Sequence, residues 1–396
     1  MNDFRVELFT PREKRAAAVF AVAVVLLAAS AIWMVGAGGH GAAPGAATVR
    51  AYRFAGFTVV SGTEAYALTG VSESPSDRLD SLTRISAYRT FDGARSWQRV
   101  PMPAGAQGMP LRLQVVGSGV VLLTAGDPIG ANPSSYWLSS NGGADWRRLP
   151  VPAHAWGGYV NALDPRTAYL VSHPYGAGGL SSAMEIYWTF DGGAGWQRTL
   201  GLDAVNATAG DLRLDSPYTG PVFSNRSDGW MMSGSFVPRP GGLRPVLLRT
   251  RDGGASWREV TLPAPPDKSF TLDVPVFPDQ GAHGYLALGG AAGLLVYETQ
   301  DGGQTWAPPY QAGVPWFSAA PDRWVFGEGR ILQTSLDWGR TWRSQAVRLP
   351  GVGLTLGELQ PAGSVLWSFP SGGGLGAVLR STDGGASWLR MPWPGA

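Results

Sequence analysis

An eight-residue pattern recurs seven times between Thr90 and Trp388: TFDGARSW from Thr90, SSNGGADW from Ser139, TFDGGAGW from Thr189, TRDGGASW from Thr250, TQDGGQTW from Thr299, SLDWGRTW from Ser335 and STDGGASW from Ser381. Its third positions are Asp92, Asn141, Asp191, Asp252, Asp301, Asp337 and Asp383, so successive copies lie 49, 50, 61, 49, 36 and 46 residues apart. Recurrence at such a period means that one supersecondary unit repeats and that neighbouring units bury one another's faces. The repeats overrule the two or three ordinary domains that a length of 396 residues would suggest.

Each unit reads as four strands. In the fourth unit a run ending in Pro221-Val222-Phe223 meets a turn through Asn225 to Asp228, and Gly229 to Met232 forms a second run. Pro245 to Arg249 is the third, and Trp257 to Val260 follows the Asp-Gly-Gly turn as the fourth. Short runs of Val, Leu, Tyr and Trp between Gly, Pro, Asp and Asn turns continue to the C-terminus without a helical period. The 56 Gly and 31 Pro accompany 17 Trp, so they punctuate strands rather than mark disorder. Seven such units predict an all-β, seven-bladed β-propeller of four-stranded antiparallel blades over residues 49–396.

The pattern has the chemistry of a turn. Its Asp accepts backbone N–H bonds, its Gly permits a left-handed conformation, and its Ser or Thr adds a local bond. The closing Trp97, Trp146, Trp196, Trp257, Trp306, Trp342 and Trp388 offer large areas for packing between blades. Seven equivalent turns around a ring cannot converge on one site, so these positions read as structural. Asn141 with Asp145, Gly195, Ala94 and Trp338 depart from the pattern, whereas the Trp is present in all seven copies.

Ser/Thr-x-Asp-x-Gly-x-Ser/Thr-Trp resembles the Asp-box, or BNR repeat, over residues 50–396. The compact seven-unit length resembles the photosystem II assembly and stability factor-like family, which implies protein binding without a cofactor. More distant resemblances are to sortilin-type receptors, which are longer rings with cysteine-containing flanking modules, and to sialidase-type propellers. A sialidase implies an Arg-Ile-Pro motif near its start, and none occurs here. Xyloglucan-cleaving enzymes also carry the box but place an Asp pair across two propellers, and this chain has length for one.

Ahead of the repeats, residues 1–15 form a short charged tail with Arg12, Lys14 and Arg15 beside the uncharged run 16–36. That run has the length of a membrane-spanning helix, about 20 residues, and basic residues on its N-terminal side favour a cytoplasmic N-terminus. Residues 37–48 (AGGHGAAPGAAT) read as a flexible linker. The expected location is therefore the cell membrane, single-pass, with the propeller outside; cleavage after the apolar run would make it secreted.

A formal net charge of +2 with only two lysines gives no basic field for nucleic acid. The chain has no Cys, which removes disulfides and thiolate sites. His40, His154, His173 and His283 lack metal-ligand spacing, so neither a metal nor another cofactor is expected.

In a four-stranded meander the boxes share a face with the turns between first and second strands, and the connections between second and third strands form the opposite face. There, residues 72–84, 126–135, 174–184 and 234–245 read as long, and those near Gly289, Glu328 and Ser371 as short. This predicts a lopsided binding rim over blades one to four, with Arg78, Arg84, Arg239 and Arg244 as candidate contacts. Three functions compete: a membrane-anchored protein-interaction or assembly scaffold, with another membrane or envelope protein as partner; a glycoside hydrolase; and a carbohydrate or cell-wall binding module using Trp137, Trp156, Trp188 and Trp316. No credible catalytic pair of carboxylates stands out among the 29 acidic residues.

Overall fold

The computed structural model describes residues 51–72, 83–106, 111–117, 119–126, 135–152, 158–172, 183–203, 208–213, 218–234, 245–263, 273–278, 282–290, 293–320, 322–369 and 378–393. The expected tail, membrane helix and linker lie outside them. Among the described residues no helix is long and apolar enough to cross a membrane.

The first blade is an antiparallel meander of β1 (Ala51–Val59), β2 (Ala65–Ser72), β3 (Thr83–Thr90) and β4 (Gln98–Val100), paired in chain order. Five further sheets repeat this order, starting at Leu111, Tyr159, Tyr218, Ser318 and Glu358. In the fifth blade Gly284–Gly290, Gly293–Thr299 and Tyr310–Gln311 make three strands, and a single bridge from Val276 to Tyr285 stands for the fourth. The chain is thus a seven-bladed β-propeller.

First strands gather at the axis, where β1 touches the first strands of blades two and seven. Second and third strands are covered on both faces, so Ala168–Ser172 is buried at every position and reads as a continuous apolar run. Fourth strands lie outermost, with exposed residues ahead of one buried side chain in Gln98–Val100, Arg147–Leu149 and Leu389–Met391. Among the described residues the core divides into seven apolar clusters, each straddling one junction between neighbouring blades.

The uneven spacing of the repeat has a structural cause. In the longest interval, 61 residues, a small hairpin (Thr208–Ala209 with Leu212–Arg213) is inserted and covers the outer strand of blade four. Gly210 bridges Trp257 in parallel, at φ +67, and a Cβ there would lie 2.2 Å from the Trp257 carbonyl oxygen. Only glycine fits this approach.

Every blade is built from consecutive residues, so the ring closes without exchanging a strand. Side chains of blades seven and one grip each other across the junction instead. Gln360 imitates a neighbouring backbone amide, accepting the Val59 N–H at 2.9 Å and donating to the Phe57 carbonyl at 3.3 Å. Arg380 donates from Nε and Nη2 to the Gly62 carbonyl at 3.1 and 2.6 Å, and the Trp97 indole N–H donates to the Pro392 carbonyl at 3.0 Å.

The two faces separate as expected. In six blades the residue after the third box position donates its N–H to the turn between the first two strands: Gly93 to Thr63, Gly142 to Gly119, Gly192 to Arg166, Gly253 to Ser227, Gly302 to Ala282 and Gly384 to Ser364. The connection near Ser371, expected to be short, lies outside the described residues, as do the connections of blades one to four expected to be long. Those of blades five and six are tight, between Gly290 and Gly293 and between Glu328 and Ile331.

Candidate functional site

The box is a closed hydrogen-bond circuit. Thr250 Oγ1 donates to Asp252 Oδ1 at 2.7 Å and accepts the Gly254 N–H at 2.9 Å. Asp252 then accepts the Ser256 N–H at Oδ1 (2.9 Å) and the Ser256 hydroxyl at Oδ2 (2.6 Å). Positions four and five both have φ between +62° and +97° in every box. The fourth-position glycine is therefore as constrained as the fifth, and Ala94 (+66°) and Trp338 (+62°) are the described non-glycine residues held in this left-handed region.

The circuit fixes the charge of the carboxylate. Hydroxyl and backbone bonds from Ser96, Thr305 and Ser387 pull Asp92, Asp301 and Asp383 down to about 2. A folded pKa below the ordinary value of about 3.9 contributes stability that is complete above pH 4 and is lost as pH falls through 2. Melting temperatures measured from pH 7 to pH 2 are expected to drop within that window, with a smaller drop in Asp301→Asn. An unchanged slope in the variant would remove these groups from the acid response. Carboxylates this acidic and this fully engaged are poor proton donors or acceptors near neutrality.

The second box reverses the circuit. Asn141 Nδ2 donates to Asp145 Oδ2 at 2.8 Å, while Asn141 Oδ1 accepts the Ser139 hydroxyl and the Asp145 N–H, each at 2.9 Å. The carboxylate has moved from position three to position seven, and the donor has moved the other way. Asn141→Asp is expected to cost about 1 kcal/mol by facing two carboxylates at an exposed site. Adding Asp145→Ser should restore most of it. Denaturant midpoints of the single and double variants test this, and additivity of the two changes would refute the exchange.

Six of the seven Trp anchors fall into two groups, and Trp342, which also donates to Gly339 of its own box at 3.1 Å, has a foot in each. Indole N–H groups of Trp97, Trp146, Trp196 and Trp342 donate to carbonyls of the preceding blade, at Pro392, Pro101, Pro150 and Ala312. Trp257 and Trp388 instead donate to their own box at Gly254 and Gly385, each at 3.0 Å. These two are covered by the parallel bridges Gly210–Trp257 and Arg348–Ser387.

Sequence reasoning missed a second set of ties, made by the residue just before the box in blades one, three, five and seven. Arg89 donates to the Asn141 and Gly142 carbonyls at 3.2 and 2.9 Å, Trp188 to the Gly253 carbonyl at 2.9 Å, and Glu298 accepts Arg340 at 2.8 Å. A long polar or aromatic residue at that place, also seen at Arg249 and Arg380, was the available signal.

Arg78, Arg239 and Arg244 lie outside the described residues, as does the Arg84 side chain. Trp137 and Trp188 are core, 5% and 1% exposed, so neither offers a stacking face. Trp316 packs edge-on against Phe326 at 5.0 Å, and Trp156 is outside the described residues. His283 is exposed on the box face, and no cluster among the described residues could hold a metal ion.

Two shallow grooves occupy matching outer corners of the connection face. In blade two, about 430 Å³ is lined by Ser135, Arg148, Leu149, Pro150 and Val151. In blade five, about 270 Å³ is lined by Gly293, Leu294, Gln311, Gly313, Val314 and Pro315. Nearer the axis, the first strands of blades two to four begin with or next to Arg112, Tyr159 and Tyr218. Burial raises the Tyr159 and Tyr218 phenols. Asp273 is the described carboxyl that is pushed up: although its side chain keeps solvent contact, the protein packed around it disfavours the charge, and the Val274 N–H at 2.8 Å opposes this only in part.

Similar folds occur among solved structures. YCF48 bound to D1 peptide aligns over 84% of this chain and 91% of its own, at 14% identity and a TM-score of 0.49. YCF48 from Cyanidioschyzon merolae aligns over 83% and 98%, at 16% identity and 0.47. A GH74 xyloglucanase from Xanthomonas campestris aligns over 85% of this chain and 60% of its own, at 16% identity and 0.46. No protein-family model and no curated protein matches the sequence. Likeness at this level concerns the fold, which scaffolds and enzymes share.

Proposed function

We propose that this propeller is a non-enzymatic protein-interaction or assembly scaffold, held at the outer side of a membrane by residues 16–36, with its partner contacting the connection face over blades one to four. The observation that carries this reading is the division between the faces. On the box face the turn circuits hold box aspartates such as Asp92, Asp301 and Asp383 ionised and consume them. On the opposite face the sequence places its long connections over blades one to four. The resemblance to photosystem II assembly and stability factor-like propellers supports a protein partner, and the basic tail before an apolar run supports the outward orientation.

Asp273 favours a second reading, a glycoside hydrolase, because a general acid on sugars needs a raised pKa. One experiment separates the two. Residues 49–396, with and without 235–244, are cross-linked to membranes of the source cell, and the same protein is assayed on sialosides and xyloglucan. A specific membrane-protein partner lost on deletion, with no turnover, supports the scaffold. Turnover abolished by Asp273→Asn overturns it, and glycan retention without turnover makes the propeller a carbohydrate-binding module.

A further inference from the structure

We propose that the ring yields at one place, the junction between blades four and five. The polar ties that fasten other junctions have counterparts here that fasten nothing. Arg249 occupies the position that Arg89 and Arg380 hold in blades one and seven, directly before the box. Instead of crossing to the next blade, its Nη2 turns back to Asp228 of its own blade at 2.9 Å. Among the described residues its Nε and Nη1 are buried with no hydrogen-bond partner. Across the junction, the anchor Trp306 is 7% exposed and its indole N–H is also buried without a partner.

The missing arginine leaves room. A Cβ on the fourth-position glycine of blade two would meet Arg89 at 2.5 Å, and one on that of blade one would meet Arg380 at 2.7 Å. The equivalent Gly302 of blade five has nothing within 4 Å. Contact across the junction is supplied by the apolar cluster of Trp230, Met232 and Leu247 with Leu286, Leu288 and Tyr297.

Apolar contact is non-directional, so it resists separation without fixing register. Buried N–H groups without acceptors are penalised until water reaches them, which lowers the cost of opening at this junction. Unpartnered N–H groups also occur at Arg89 Nε, Trp367 Nε1 and Arg323 Nε, the last beside Gly384 at the junction of blades six and seven, which the Gly329–Leu356 and Arg348–Ser387 bridges fasten. At the first two, Arg89 Nη1 still makes two cross-blade bonds, and Gln360, Arg380 and Trp97 hold the closing junction. The yielding seam separates blade four, the last with a long connection, from blade five, the first with a tight one.

The absence of native cysteine makes the test direct. Single cysteines are placed at Leu288 in this seam, at Leu366 between blades six and seven, and at Leu122 between blades two and three, all at most 1% exposed. Thiol labelling of the folded full-length chain measures how often each seam opens. Leu288→Cys is expected to label at least tenfold faster than Leu366→Cys and Leu122→Cys; equal or slower labelling overturns the proposal. Because a cysteine could loosen its own seam, Arg249→Met is added to the Leu288→Cys chain. Removing the two unpartnered N–H groups, Nε and Nη1, should slow labelling several-fold, and unchanged or faster labelling counts against the seam.

Discussion

Trp257→Ala is expected to lower the unfolding free energy by about 3–5 kcal/mol, the range for emptying a buried Trp site. Trp257 is fully buried and belongs to the cluster that joins blades three and four. Its backbone also accepts the inserted hairpin, through the Asp211 N–H at 2.8 Å, and donates to the Ala209 carbonyl at 3.2 Å. The side chain cannot be replaced by inward movement of the hairpin, because Gly210 already lies against the Trp257 carbonyl. Trp97→Ala, at a partly exposed anchor, should cost about 1–3 kcal/mol, since a smaller buried area and one neutral hydrogen bond are lost. Denaturant midpoints at constant m-value compare the two. Equal costs would contradict the division of anchors by what covers them.

The second large effect is expected at the closing junction. Arg380 is 7% exposed, places its guanidinium 5.5 Å from the Trp367 ring centre and gives two hydrogen bonds to the Gly62 carbonyl. Burial lowers its pKa without threatening its charge at neutral pH. Arg380→Met should cost about 2–4 kcal/mol, because charge-assisted bonds are lost and a carbonyl is left without its partner. Arg343→Met, on an exposed outer strand, should cost less than about 0.5 kcal/mol. Limited proteolysis should show the Arg380 variant cut first in blades one and seven. A melting curve indistinguishable from that of Arg343→Met would mean that apolar packing alone closes the ring.

These contacts explain which parts of the architecture sequence reasoning could reach. Asp252, Thr250, Gly254 and Ser256 meet within seven residues, so their circuit is written locally and its repetition announces the blade count. Arg380 and Gly62 lie 318 positions apart, and nothing adjacent to either reveals the pairing. Gln360 reads as one polar residue in a first strand, and only the curvature that brings blade seven to blade one gives its amide a partner. Trp338 replaces the fourth-position glycine in the sixth box and Ala94 the fifth-position glycine in the first, and both residues adopt the same left-handed conformation as the glycines they replace. The candidate rim was legible only as loop lengths. The side chains of Trp137 and Trp188, candidate stacking faces only for a carbohydrate-binding module, turn inward with the apolar pattern of their third strands.

Closure without strand exchange also sets a timetable. During synthesis at roughly 5–20 residues per second, Gly62 emerges about a quarter of a minute to a minute before Arg380. Blades can condense one upon another as they appear, yet the first must keep an apolar flank, including Ala65 and Ala94, uncovered until Trp367 and Val378 arrive. The earliest part of the molecule to fold is thus the last to be finished, and a truncated or stalled chain would present that flank to whatever surface it meets first.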